Sequence, residues 1–94
     1  MNNKDNMIPF IMENIRIREE EFGLMVFSNR TPVLTFNQDA AIIWRQIDNN
    51  KTVIQISNEI DCIKNGEGNS NLEVIRDFLE ACNKLRLVSF RNKV

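Results

Sequence analysis

Early in the chain apolar residues recur at every second position, and further on at every third or fourth, a switch that predicts strands followed by helices. Ile15 and Ile17 alternate with Arg16 and Arg18, which predicts a strand with one face buried. Glu19, Glu20 and Glu21 lead to Phe22 and Gly23, where a backbone without a Cβ suits a tight turn. Val26 and Phe27 favour a second strand over residues 24–28. Ser28, Asn29, Arg30, Thr31 and Pro32 are turn chemistry, and Pro32, which cannot donate to a ladder, marks a strand start or an edge. A third strand follows over residues 33–36, and the short connections predict an antiparallel meander.

Asn37 can accept from amides two or three residues on, and Asp39 suits the positive end of a helix, so a helix is predicted to start here. Ala40, Ile43, Trp44 and Ile47 keep helical spacing, and Asp48, Asn49 and Asn50 end it. Thr52 caps a shorter second helix in which Val53, Ile56 and Ile60 share a face, completing a helix-turn-helix unit. Gly66, Gly68 and Ser70 place a flexible loop over residues 64–71. Asn71 caps the longest helix, where Leu72, Ile75, Phe78, Leu79, Cys82 and Leu85 form a broad apolar stripe while Arg76, Asp77, Glu80 and Lys84 stay in water. Residues 87–90 add a short extended piece. The order predicts an α+β, winged helix-turn-helix-like domain over residues 15–90, a three-stranded antiparallel sheet followed by three helices. Residues 1–14 read as an N-terminal extension and residues 91–94 as a frayed tail.

Composition narrows the function. With 94 residues, 43% of them hydrophobic and 27% charged, the chain can bury one modest core. Twelve Lys plus Arg against thirteen Asp plus Glu leave a formal charge of -1, which provides no excess positive field for a nucleic-acid backbone. The apolar stretch 7–12 is short and interrupted by Pro9, so neither a signal peptide nor a membrane span is expected, and the setting is taken as cytoplasmic.

Catalytic and metal chemistry find no foothold. There is no histidine, and Cys62 and Cys82 lack metal-type spacing, so they read as reduced thiols. Consecutive acids at 19–21 point in different directions and cannot converge on one atom. Gly66, Glu67 and Gly68 match no phosphate-binding glycine pattern. No enzyme activity and no cofactor are expected.

Three segments carry a family resemblance: residues 15–28 with Phe22 and Gly23 between two strands; the block Phe36, Asn37, Gln38, Asp39, Ala40, Ala41, Ile42, Ile43, Trp44; and Ile47 and Asp48 through Thr52 and Val53 to Ile56. Together they resemble the PqqD-like domain, also called the RiPP recognition element, over residues 15–88. The chain departs from that pattern at Arg86, where the family usually has glycine, and at Asn49 and Asn50, where Asp-Gly is common. The resemblance implies a non-catalytic peptide chaperone. It would bind the leader segment of a ribosomally made precursor by strand addition and present it to a modifying enzyme such as a radical SAM enzyme, a protease or a cyclase. By that resemblance Val33, Leu34, Thr35 and Phe36 form the pairing strand. Leu72, Ile75, Arg76, Leu79 and Asn83 form the opposite wall, with Arg76 facing a leader carboxylate.

Two alternatives share the fold. A winged-helix DNA-binding regulator needs cations on its recognition helix, and the second helix offers Gln55, Asn58 and Glu59 but no cation. A self-associating scaffold, for instance a homodimer, would use the same strand edge to pair with a second copy.

Overall fold

The computed structural model describes residues 4–29, 31–63 and 70–92. A single 3-10 turn, Lys4–Asn6, leads into β1 (Met7–Ile11), β2 (Arg16–Glu20), β3 (Gly23–Ser28) and β4 (Thr31–Asn37). Helices α1 (Gln38–Arg45), α2 (Val53–Ile63) and α3 (Ser70–Lys84) follow, and β5 (Val88–Asn92) closes the chain. The expected α+β order of three strands and three helices is present. Residues 64–69 of the loop expected over 64–71, Arg30 and the last two residues of the expected tail lie outside the described residues, and Ser70 and Asn71 are helical rather than loop.

Two sheets form, one more than the sequence pattern predicts. In the first, β2, β3 and β4 pair in that order as an antiparallel meander, so both β2 and β4 are edges. In the second, β1 pairs with β5 antiparallel, with Pro9 opposite Phe90. Met7–Ile11 is therefore a strand of the fold, although residues 1–14 were expected as an extension, and β5 runs on to Asn92, past the expected start of fraying at Arg91. Neither segment has a clear alternation of its own. Each becomes a strand because the other supplies its ladder and because Ile8 and Pro9 are buried. Two long-range bonds hold this sheet to the α1–α2 turn: Asn49 Oδ1 accepts from the Ile11 amide at 3.3 Å, and Arg91 Nη2 donates to the Asn49 carbonyl at 2.8 Å.

Register explains which positions of the meander are covered. Val26 faces both Ile17 and Leu34, and Leu24 faces both Glu19 and Phe36, so these side chains share one face. Leu24, Val26 and Phe36 are buried beneath α1, which packs across β3 and β4. Ile17 lies on the same face yet is 48% exposed. The expectation of a buried face on the first strand is corrected accordingly: at this edge the cover is thin, and α1 reaches β2 through Arg45, whose Nη2 donates to Glu19 Oε1 at 2.7 Å. Gly23 opens β3 at φ 146°, and a Cβ there would collide with the Phe36 carbonyl oxygen.

Helix ends follow their local chemistry. Asn37 Oδ1 accepts from the Ala40 amide at 2.9 Å, capping α1. Thr52 Oγ1 accepts from the Gln55 amide at 3.1 Å while Gln55 Oε1 accepts from the Thr52 amide at 2.8 Å, a reciprocal capping box at the start of α2. Between them Asp48 Oδ1 accepts from the amides of Asn50 and Lys51, both at 2.9 Å, and the Asn50 bond above all holds the Asp48 carboxyl below its usual range. Helix α3 begins at Ser70, one residue ahead of the expected cap at Asn71. It ends when the Leu87 amide donates to the Cys82 carbonyl at 2.9 Å and the Arg86 amide to the Asn83 carbonyl at 3.0 Å. That pair of bonds is a Schellman closure, with Arg86 at φ 64° in the left-handed position usually held by glycine.

Candidate functional site

Strand β4 presents the backbone groups of an unpaired edge: among the described residues nothing pairs with its outer side. Its ladder to β3 is interrupted near the start. Between the pairs Val26–Leu34 and Ser28–Thr31, Phe27 alone stands opposite Pro32 and Val33, a bulge that places the donor-less proline where pairing already fails. Val33 is 55% exposed, Thr35 is exposed and Leu34 is half-buried against the core.

Helix α3 has three faces, and they differ sharply in what they meet. Ile75, Leu79 and Cys82 form its core face and are buried. Burial pushes the Cys82 thiol up to about 12, so it carries no thiolate at physiological pH. A second flank carries Leu72, Arg76 and Asn83. Arg76 is held there by the N-terminal turn: Nε donates to Asp5 Oδ1 at 2.8 Å and Nη2 to Asp5 Oδ2 at 3.1 Å, and this hydrogen-bonded carboxylate raises the guanidinium pKa further. Asn83 Nδ2 donates to the Val88 carbonyl at 2.8 Å and ties α3 to β5.

The third flank carries Val74, Phe78, Ala81 and Leu85, spaced by four, three and four residues along one side. Phe78 packs edge-on against Phe36 with ring centroids 5.2 Å apart, and Phe36 in turn meets Trp44 at 5.6 Å. This contact joins the flank to β4 at Phe36. Val74 is 58% exposed and Leu85 40% exposed, so the two ends of the stripe are apolar surface open to solvent.

The nine residues singled out from the sequence are thus distributed between roles. Val33, Leu34 and Thr35 do lie on an edge strand. Phe36, Ile75 and Leu79 belong to the core, and Leu72 packs against it. Arg76 and Asn83 are engaged by Asp5 and Val88. The α3 side chain that meets β4 is instead Phe78, through Phe36, on the flank it shares with Val74, Ala81 and Leu85. One signal for this was present: the apolar positions of α3 spread over more than one face, wider than a single core contact needs.

On α2, Gln55 is exposed, its carbonyl oxygen used in the cap, and Lys51, just before the helix, donates to Gln46 Oε1 at 3.0 Å and faces Glu59 at 3.7 Å. Among the described residues no cluster of three or more His, Cys, Asp or Glu is placed to hold a metal ion. Among the same residues no helix is long and apolar enough to cross a membrane. No family model matches the chain, and neither a curated protein nor a solved structure is significantly similar to it.

Proposed function

We propose that this protein is a non-catalytic peptide-binding module of the winged helix-turn-helix type that takes an extended segment as an added strand on β4. The observation that carries this reading is the unpaired edge of β4 together with the partly exposed apolar flank of α3, which meets the same strand where Phe78 packs on Phe36. An incoming strand would find hydrogen-bonding groups along one side and Val74, Phe78, Ala81 and Leu85 along the other. Backbone pairing would supply affinity at any sequence, and alternate side chains seated on the stripe would supply selectivity. The resemblance to PqqD-like domains names the occupant as the leader of a ribosomally made precursor, delivered in the cytoplasm to a modifying enzyme.

The test is an NMR titration of the domain with each short peptide encoded beside its gene, following backbone amides. Saturable shifts along residues 33–36 and at Val74, Phe78 and Leu85 are expected with one of them. Saturable binding that leaves these amides unmoved would refute the strand-addition mode, and no binding by any of the peptides would refute leader recognition. A DNA-binding reading is the weaker one, because α2 presents no free cation and the Gln55 carbonyl is committed to its own helix cap.

A further inference from the structure

A cavity of about 750 Å³ lies between Ile15 ahead of β2, the end of β3 at Ser28 and Asn29, the β1–β5 sheet and the end of α3. Its volume is that of a ligand site rather than a packing void. Phe10, Met12 and Val88 give it apolar lining, and Asn14, Asn29 and Arg86 give it polar lining. Among the described residues three that are not glycine have positive φ, and two of them, Asn14 at 69° and Arg86 at 64°, line this one cavity. Asparagine adopts that conformation readily, but arginine does so at a steric cost that glycine would remove. Strain of this kind is retained where a side chain is needed.

Arg86 is also uncommitted. Its guanidinium makes no hydrogen bond or ion pair with any described residue, and Glu13, in the same lining, lies beyond ion-pair distance of it. Arg76, the cation expected from the sequence to meet a peptide carboxylate, is already held by Asp5. We infer that this cavity is an acid-accepting subsite: it takes a carboxylate-bearing residue of the bound peptide, pairs it with Arg86, and seats an adjacent apolar side chain against Phe10, Met12 and Val88. The inference rests on the peptide-binding reading, which supplies a peptide carboxylate as the ligand that Arg86 would pair.

Two capped dipeptides test it without knowledge of the leader: N-acetyl-Glu-Phe amide and its neutral counterpart N-acetyl-Gln-Phe amide, titrated by NMR. The acid is expected to give saturable shifts at Asn14, Asn83 and Ser89 and to bind about three- to tenfold more tightly than the neutral probe, the range between an exposed ion pair and a charge-assisted hydrogen bond. Arg86→Gly should abolish that preference, Arg86→Lys should keep part of it, and Glu13→Gln should enlarge it. Because glycine suits the backbone at position 86, loss of binding in Arg86→Gly cannot be ascribed to unfolding. Equal binding of the two probes, an acid preference that survives in Arg86→Gly, or unmoved cavity amides would overturn the inference. A gene-neighbour peptide that shifts β4 amides but leaves the cavity amides still would also overturn it, with the strand-addition reading intact. Cavity shifts from the acidic probe, combined with no gene-neighbour peptide binding at β4, would support the acid subsite and overturn the leader reading.

Discussion

Replacing Arg86 with glycine should make this domain more stable, and the size of the effect can be worked from the backbone. Arg86 closes α3 at φ 64°, where the two Schellman bonds from the Leu87 and Arg86 amides fix its conformation. An L-residue in that region loses about 1–2 kcal/mol to the clash of its Cβ with the neighbouring carbonyl, which glycine avoids. Glycine returns about 0.4–1 kcal/mol of the gain through the greater freedom of its unfolded chain. No described side chain pairs with the Arg86 guanidinium, so no contact offsets the remainder. The net stabilisation should be about 0.5–1 kcal/mol, and a domain of this size should melt about 2–8 °C higher. Thermal melting followed by circular dichroism, with urea midpoints as a second measure, would read it. An unchanged or lower Tm would refute the reasoning, and would mean that the guanidinium makes a contact in solution that outweighs the backbone strain.

Three further substitutions probe the site and the fold. Val74→Asp, on a side chain already 58% exposed, should shift stability by no more than about 0.5 kcal/mol while weakening peptide binding at least about tenfold, measured by calorimetry with the peptide found by titration; unchanged affinity would remove the α3 stripe from the site. Gly23→Ala places a Cβ against the Phe36 carbonyl at a positive φ and should cost about 3 kcal/mol or more, seen as a large drop in the urea midpoint; a native-like midpoint would show that the β2–β3 turn can relax. Asp48→Ala tests linkage. Because the Asp48 carboxyl sits below its usual range when folded, its contribution is present above the ordinary carboxylate pKa and is lost as pH falls through the lowered folded value. The urea midpoints of the native and Asp48→Ala proteins should therefore differ at pH 7 and converge in acid, and a pH-independent difference would contradict that assignment.

Much of the candidate site was legible along the chain, and the part that was not shares one cause. The edge strand was legible because Pro32 and the short turns around it constrain pairing locally. The caps at Asn37 and Thr52 were legible for the same reason: donor and acceptor lie within three residues of one another. Helical spacing groups Arg76 and Asn83 on one face of α3, but it does not report which element that face meets. Asp5, far away in sequence, claims Arg76, and no local pattern could announce that.

Sequence alone, then, determined the elements whose signals are short-range: the meander, the three helices, the caps of the first two and the apolar faces that require a core. Tertiary structure decided the rest. It made strands of Met7–Ile11 and Val88–Asn92, which gain their ladder only from each other across the whole chain. It left Ile17 half in water by placing β2 at an edge, although its alternation reads as buried. It also joined α3 to β4 through the edge-on contact of Phe78 with Phe36. Periodicity fixes faces because it follows from the geometry of one element. The pairing of faces depends on where distant elements stop, and that is set only when the whole core packs.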